Sequence, residues 1–234
     1  MHALVVIPAR YDSARLPGKV LAPIAGRSML EHVWARASAS CVGRVLVATD
    51  DERVAQVVRD FGGQVVMTSP DHPSGSDRVF EAVTGLDARV VVNVQGDEPL
   101  LDPRVVDALL AALDADPDLD VATAAAPLRG DPASPSVVKV VTDARGRALY
   151  FSRAPIPHGG PYLHHLGVYA FRREALQRYV QLPRGPLEQG ERLEQLRLLE
   201  HGLTLGVVAV ERAQPSVDTS EDLHLVRQIL EAQR

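Results

Sequence analysis

The sequence is poor in cysteine and in long apolar runs. Its single cysteine, Cys41, excludes an internal disulfide and suits a reducing compartment. No apolar run approaches the roughly 20 residues of a membrane span, and Pro8 and Arg10 end the short N-terminal run. We therefore expect a cytoplasmic protein that does not insert into membranes.

The chain has no excess of positive charge, and lysine is rare in it. The formal net charge is −5 at pH 7, so no basic surface excess points to nucleic acid. An anionic substrate would need a local basic pocket instead. Among 25 basic residues only Lys19 and Lys139 are lysines. In a chain that uses arginine almost everywhere, each lysine is a candidate for a position that arginine cannot fill.

The first half alternates short apolar runs with amphipathic segments of helical period. This pattern predicts an α/β fold with a Rossmann-like, mostly parallel sheet and helices on both faces. The predicted strands are Ala3–Ile7, Arg44–Thr49, Gln64–Met67 and Val90–Val94. At 234 residues the chain fits one domain.

The second half is richer in predicted strands. These are residues 121–126, 137–142, 163–171 and 205–210, with a hairpin turn at 143–147. A charged helix is predicted over 185–201, with Leu187, Leu193, Leu196, Leu198 and Leu199 as core positions and Glu188, Glu191 and Glu194 on a solvated face. The C-terminal helix follows residue 218 and buries Leu223, Val226, Ile229 and Leu230.

Parallel topology predicts where the functional loops meet. The carboxyl ends of parallel strands lie at one edge of a sheet, so the loops at 8–19, 49–51 and 95–99 should converge. The first of them carries Arg10, Ser13, Arg15 and Lys19, whose cations suit a polyphosphate. The alternative is a solvated basic loop.

Two aspartates are candidate ligands of a divalent cation. Asp97 follows a buried strand, where its oxygens could hold a metal; the alternative is a helix cap. For Asp218 the alternative is that it, or Ser220, caps the last helix. Sequence spacing alone does not show that Asp97 and Asp218 lie together. The polar loop 69–78 either presents backbone groups to a base edge or is a capped loop.

Several long motifs occur in an order that is typical of one family. They include Ile-Pro-Ala-Arg-Tyr-x-Ser-x-Arg-Leu-Pro-Gly-Lys, Ser-Pro-Asp-His-x-Ser-Gly-x-Asp-Arg, Asn-Val-Gln-Gly-Asp-Glu-Pro, Tyr-Phe-Ser-Arg-Ala-Pro-Ile-Pro and His-Leu-Gly-Val-Tyr. The chain closely resembles the CMP-Kdo synthetases, which are 3-deoxy-manno-octulosonate (Kdo) cytidylyltransferases. The resemblance runs from Val5 to the C-terminal Val-Asp-Thr-x-Glu-Asp-Leu.

The resemblance implies roles for individual residues. The implied catalytic residues are Lys19, Arg15, Asp97 and Asp218, and the last two are the implied magnesium ligands. The implied nucleotide contacts are Arg10, Ser13, Arg15, Lys19, Ser74, Gly75, Ser76, Arg78 and Gln95. The implied sugar contacts are Gln95, Arg153, His165, Tyr169, Glu194 and Gln195.

The resemblance also implies an activity and an organisation. CTP and Kdo would give CMP-Kdo and pyrophosphate, with Mg²⁺, for lipopolysaccharide synthesis. A single nucleotidyltransferase domain over 1–234 would comprise a nucleotide-binding part at about 1–120, a strand-rich part for sugar binding and homodimerisation at about 121–215, and a C-terminal helix at 220–232 packing back. The loop at 157–164 is short for this family, and Gly190 stands where a larger residue is expected.

Two other interpretations stay open from the sequence. A cytidylyltransferase for sialate or for a non-sugar alcohol would share the first-half loops and differ in the sugar contacts. A non-catalytic nucleotide-binding module would not need Lys19, Asp97 and Asp218 together, because binding alone requires no activated nucleophile.

Overall fold

The computed structural model describes residues 2–12 and 16–232. The chain forms two compact units. The first comprises His2–Asp107 and the C-terminal segment from Gln214, and the second comprises Ala108–Ala213.

The described residues form eleven strands and eight α-helices. The strands are β1 (Ala3–Pro8), β2 (Pro23–Ile24), β3 (Arg27–Ser28), β4 (Val45–Thr49), β5 (Gln64–Met67), β6 (Val90–Asn93), β7 (Val121–Pro127), β8 (Lys139–Thr142), β9 (Ala148–Ser152), β10 (Leu163–Arg172) and β11 (Leu205–Ala209). The helices are α1 (Met29–Ser38), α2 (Glu52–Asp60), α3 (Gly75–Val83), α4 (Pro103–Ala115), α5 (Arg173–Gln181), α6 (Pro186–Glu191), α7 (Leu196–Glu200) and α8 (Ser220–Glu231). Across the described ranges, no helix combines the length and the apolar character needed to cross a membrane.

The first unit is built on a parallel sheet in the order β6-β1-β4-β5. Its inner strands are continuous apolar runs because a parallel sheet is covered on both faces. Val5, Val6 and Ile7 of β1 are fully buried. The predicted α/β class with a mostly parallel sheet flanked by helices is confirmed.

Helix α8 packs into the core of the first unit. Its buried side chains are Leu223, Val226 and Leu230, as the period of the sequence predicts. They share a cluster with Ile24 and Met29. The C-terminal segment is thereby fixed next to the loops that follow β1 and β6.

The second unit has mixed strand directions. Strand β7 is parallel to β11 and antiparallel to β10. Strand β8 is antiparallel to both β10 and β9. The predicted turn at 143–147 joins β8 to β9, with the Gly146 N–H donating to the Asp143 carbonyl at 3.1 Å.

The prediction of one continuous helix over 185–201 is wrong. The segment is divided into α6 and α7 because Arg192 takes the left-handed conformation, with φ of 55°, and ends α6. The solvated face is wrong for Glu188, which is buried and forms an ion pair with Arg197 at 2.6 Å, whereas Glu194 is exposed as predicted. Leu187, predicted in the core, is 41% exposed.

Candidate active site

A cleft of about 220 Å³ opens in the first unit at the carboxyl ends of β1 and β6. Its lining residues are Pro8, Arg10, Asp12, Lys19, Val20, Gly75, Gln95, Gly96 and Asp97. The loops after β1 and β6 therefore converge, as the topology predicts. The loop after β4 contributes no described lining residue.

Two glycines allow these loops to approach each other. A Cβ atom on Gly96 would lie 3.1 Å from the Pro8 carbonyl oxygen, so a larger residue would force the loops apart. Gly18 has φ of 69°, a conformation that favours glycine. Its N–H donates to the Tyr11 carbonyl at 2.9 Å, which closes the loop immediately before Lys19.

Lys19 is the central cation of the cleft. Its side chain is 10% exposed, and its ammonium donates to the Asp97 carboxylate at 2.7 Å and to the Val217 carbonyl at 2.8 Å. The Asp218 carboxylate lies 3.5 Å from the same nitrogen. The sequence left the pairing of the two aspartates open, and the structure brings both to one ammonium group.

Asp218 is not the cap of the last helix. Thr219 is the N-cap of α8, and its hydroxyl accepts from the Asp222 N–H. The Asp222 carboxylate accepts in return from the Thr219 N–H at 2.9 Å, which completes a capping box. The alternative in which Asp218 or Ser220 caps this helix is therefore wrong. The Asp218 carboxylate instead lies beside Lys19.

Glu98 is a third acidic group at this site, and the sequence reasoning assigned it no role. Desolvation of its carboxyl group by the surrounding protein, together with the negative charges of Asp97 and Asp218, raises its pKa to about 8. Lys19 opposes this rise. The Asp97 and Asp218 carboxylates thus disfavour a third negative charge beside them.

The donor set fits a hard divalent cation. Magnesium prefers oxygen ligands, takes only one or two protein carboxylates, and obtains the others from water and substrate phosphates. Asp97 and Asp218 meet that requirement because both lie beside Lys19. Within the described ranges no three His, Cys, Asp or Glu residues form a group that could hold a metal ion.

The remaining cleft residues are polar or cationic. Arg10 donates from its guanidinium to the His72 carbonyl, which ties the loop after β1 to the segment before α3. Gln95 donates to the Asn93 side chain at 3.3 Å. Asp12 also lines the cleft, although the sequence reasoning gave it no role. The predicted residues Ser13 and Arg15 lie outside the described residues.

The predicted base-recognition segment divides into one cleft residue and three supporting ones. Gly75 lines the cleft. Ser74 is the buried N-cap of α3, and Ser76 is buried in its first turn. Arg78 is fully buried and donates to Asp50 at 2.6 Å. The Arg78 side chain therefore joins α3 to the residue that follows β4.

Two of the predicted sugar contacts, His165 and Tyr169, belong to a short row of ring side chains in the second unit. The His165 ring lies 4.9 Å from Phe151 and 5.5 Å from Tyr169. Burial, reinforced by the negative charge of Glu194, raises the pKa of the Tyr169 hydroxyl well above 10. Gln195, the N-cap of α7, is buried.

Arg153 is held by main-chain oxygens of the second unit. Its guanidinium donates to the carbonyls of Pro135 at 2.7 Å, Glu191 at 3.1 Å and Arg192 at 3.4 Å. The described residues therefore take up three of the five N–H donors of this side chain. The orientation of the group is fixed before any ligand binds.

His165 is neutral in the folded protein. Complete burial, with a smaller effect of the adjacent His164, lowers its pKa to about 3. Its Nε2 atom lies 2.9 Å from the Thr123 hydroxyl, which donates its single proton to the Val168 carbonyl at 2.9 Å. We therefore assign the ring the tautomer in which Nε2–H donates to Thr123.

This shift predicts an acid-sensitive fold. Between the folded pKa of about 3 and the unfolded value near 6.5, only the unfolded chain binds a proton at His165. Acidification must therefore destabilise the fold, by about 1–2 kcal/mol between pH 6.5 and 5. Urea unfolding at both pH values should show this loss in the wild type and a smaller loss in His165→Gln. Parallel pH dependences in the two proteins would contradict the assignment.

Comparison with known proteins identifies the family. A sequence model of the cytidylyltransferases matches residues 4–207. A 3-deoxy-manno-octulosonate cytidylyltransferase of Bradyrhizobium sp. is 52% identical over 97% of this chain and 96% of that protein. The protein of the same name from Syntrophotalea carbinolica is 48% identical over 95% of this chain and 96% of its own. The chain belongs to the 3-deoxy-manno-octulosonate cytidylyltransferase family.

Solved structures agree with this membership. The structure of a CMP:2-keto-3-deoxy-manno-octonic acid synthetase complexed with CTP matches with a TM-score of 0.96 at 46% identity, over 100% of both chains. A 4-diphosphocytidyl-2C-methyl-D-erythritol synthase from Anaerococcus prevotii matches with a TM-score of 0.67 at 14% identity, over 99% of this chain and 100% of its own. The second likeness concerns the fold alone.

As a member of this family the chain is a nucleotidyltransferase, and the family resemblance read from its motifs is confirmed. The matched region includes residues of both units, so each unit has a counterpart in the related proteins. The roles of individual site residues, which the resemblance implied, stay predictions.

Proposed function

We propose that this chain transfers CMP from CTP to the 2-hydroxyl of Kdo and releases pyrophosphate, which activates Kdo for lipopolysaccharide synthesis. The observation that carries the proposal is the buried ammonium of Lys19, held beside Asp97 and Asp218 in the cleft of the first unit. Family membership supplies the pair of substrates.

The first unit supplies fixed positive charge for the triphosphate. Lys19 is held by three oxygens, so its charge is in place before the reaction begins. Preorganised charge stabilises the transition state without reorganisation at the moment of transfer. Arg10 adds a second cation, and Ser13 and Arg15 of the same loop remain predicted nucleotide contacts. The sugar oxygen forms its bond to the α-phosphorus while pyrophosphate leaves on the opposite side.

Asp97 and Asp218 are the residues that we propose hold Mg²⁺. When bound, the ion supplies neutralisation of phosphate charge and acidification of the attacking hydroxyl. The chain prepares this site in two ways. The Val217 N–H donates to the Asp97 carbonyl at 2.9 Å and fixes the two segments, and Lys19 offsets the repulsion between the two carboxylates.

The second unit supplies the proposed contacts to the sugar acid. Arg153 is suited to a carboxylate because its planar guanidinium is already oriented. Neutral His165 and the protonated Tyr169 hydroxyl can exchange hydrogen bonds with sugar hydroxyls without adding charge. Glu194 and Gln195, at the start of α7, complete the proposed set.

Assembly and location are carried over from the sequence as proposals. We expect a homodimer on the strength of the family resemblance. The single cysteine fits a reducing cytoplasm. No nucleic acid or membrane partner is proposed.

The experiment that tests the function is a pyrophosphate-release assay. CTP, ATP and GTP are each combined with Kdo, sialate and a neutral sugar in the presence of magnesium. We expect release with CTP and Kdo, and a product with the mass of CMP-Kdo. Equal release with all three nucleotides would remove the claim for cytosine, and turnover of sialate without Kdo would identify a different cytidylyltransferase.

A further inference from the structure

Lys139 is the second of the two lysines, and the proposed function gives it no task. It lies at the start of β8 and is fully buried. Its ammonium donates to the main-chain carbonyls of Ser134 at 3.1 Å, Val137 at 2.7 Å and Arg153. A buried ammonium whose hydrogen bonds all go to main-chain carbonyls holds together the backbone segments that carry those carbonyls.

The register of the strands places Lys139 between two predicted sugar contacts. It pairs with Ser152 on β9 and with His164 on β10. Each of these is followed by a predicted contact, Arg153 and His165 respectively. Strand β8 thus joins the two strands that present the sugar contacts.

The Arg153 side chain also holds the segment from Ser134 to Val137. Lys139 donates to Ser134 and Val137, and the Arg153 guanidinium donates to Pro135 between them. The Arg153 N–H in turn donates to the Glu191 carboxylate at 2.9 Å. The backbone of Arg153 and one of the three carbonyls that orient its side chain, that of Pro135, are therefore both held through one ammonium group.

We propose that Lys139 is a positioning residue for recognition of the sugar acid: by holding Ser134, Val137 and Arg153, it fixes the Arg153 guanidinium in the orientation that takes the carboxylate of the sugar. This inference rests on the proposed function. It also explains why this chain has a lysine here. Three carbonyl oxygens that point at one position can all accept from the compact ammonium of lysine. The planar guanidinium of arginine carries its N–H donors on separate atoms and points them in different directions.

The electrostatic surroundings agree with such a role. Burial lowers the pKa of Lys139, and the negative charge of Glu191 acts against that shift. Glu191 accepts from the Ser152 hydroxyl at 2.6 Å as well as from the Arg153 N–H. The carboxylate therefore belongs to the same network and compensates part of the buried charge.

The test uses steady-state kinetics of the full chain with CTP and Kdo. Lys139→Met keeps the length of the side chain and removes the ammonium. We expect the KM for Kdo to rise at least ~10-fold, the effect of losing charge-assisted hydrogen bonds, while the KM for CTP changes by less than about twofold. Should Lys139→Met not fold, Lys139→Gln keeps a polar donor and is expected to raise the same KM.

A matched control and a double mutant separate positioning from general stability. Arg172 is a cation of the same unit that also donates to three carbonyls, those of Leu113, Asp116 and Leu119. Arg172→Met should leave the KM for Kdo within about twofold, and Lys139→Met should add less than about twofold to the KM of Arg153→Ala, because the two residues act through one group.

Three results would overturn the positioning role: an unchanged KM for Kdo in the folded Lys139 variant, an equal rise in Arg172→Met, or additive effects in the double mutant. A wild-type protein that releases no pyrophosphate with Kdo would instead overturn the proposed function. The two failures are therefore distinguishable.

Discussion

Replacing Asp97 with asparagine lowers turnover at least ~10²-fold and leaves the fold intact, in line with the loss of one charge-stabilising group from a preorganised site. The amide has almost the same shape as the carboxylate, and its oxygen can still accept a hydrogen bond from Lys19. In the wild type the Lys19 ammonium donates to the Asp97 carboxylate at 2.7 Å. A neutral amide binds magnesium far more weakly than a carboxylate does. The readout is turnover at saturating CTP and Kdo across a magnesium titration, with circular dichroism to confirm folding.

Two further substitutions give this prediction its controls. Asp218→Asn should behave like Asp97→Asn, because Thr219 rather than Asp218 caps α8 and loss of a cap cannot explain a defect. Asp51→Asn should leave turnover unchanged, since Asp51 lines no part of the cleft, pairs otherwise with the exposed Arg53, and caps α2, where asparagine caps about as well. Near-normal turnover of the folded Asp97 variant would rule out the metal mechanism. Near-normal turnover of the Asp218 variant alone would leave Asp97 as the single protein ligand.

Loss of the Lys19 ammonium should have an effect of similar or greater size. We expect Lys19→Met to lower kcat/KM for CTP by ~10²–10³-fold, the range seen when one preorganised donor is removed from a charge-stabilising site. The change also leaves Asp97 and Asp218 without their shared cation. Lys19→Arg keeps the charge but not the compact ammonium group, and it should recover little activity. The measurement is pyrophosphate release under matched conditions.

Arg27→Met is the control for simple loss of positive charge in the first unit. Arg27 is largely exposed, and its ion pair with Glu31 at 3.4 Å lies on the surface of α1. Such pairs contribute little to stability, so its turnover should equal that of the wild type. If Lys19→Met kept more than about a tenth of wild-type kcat/KM, the preorganised role assigned to Lys19 would be wrong.

The framework of the site follows from local sequence. Continuous apolar runs predicted β1, β4 and β6, and the rule that parallel strands end at one sheet edge predicted the meeting of the loops after β1 and β6, although the loop after β4 lines no part of the cleft. Lys19 and Asp97 could be placed in this way, because Asp97 lies in the short segment after β6 and Lys19 lies at the end of the loop that follows β1. Position relative to a strand was sufficient for these residues.

The features that were missed depend on contacts distant in sequence. The approach of Asp218 to Lys19 comes from the packing of α8 on Ile24 and Met29, which spacing does not encode. The division of α6 from α7 comes from the left-handed Arg192, whose carbonyl accepts from Arg153. The raised pKa of Glu98 could have been suspected only from its position beside Asp97.

Anomalous scattering from a crystal containing CTP and Mn²⁺ in place of Mg²⁺ is the most direct test of the central claim, that Asp97 and Asp218 hold the metal of a nucleotidyl-transfer site. We expect an anomalous peak within coordination distance of both carboxylates and of CTP phosphate oxygens, with Lys19 close to the phosphates. CTP bound in the cleft with no metal at either aspartate, or with the peak at a different part of the chain, would contradict it.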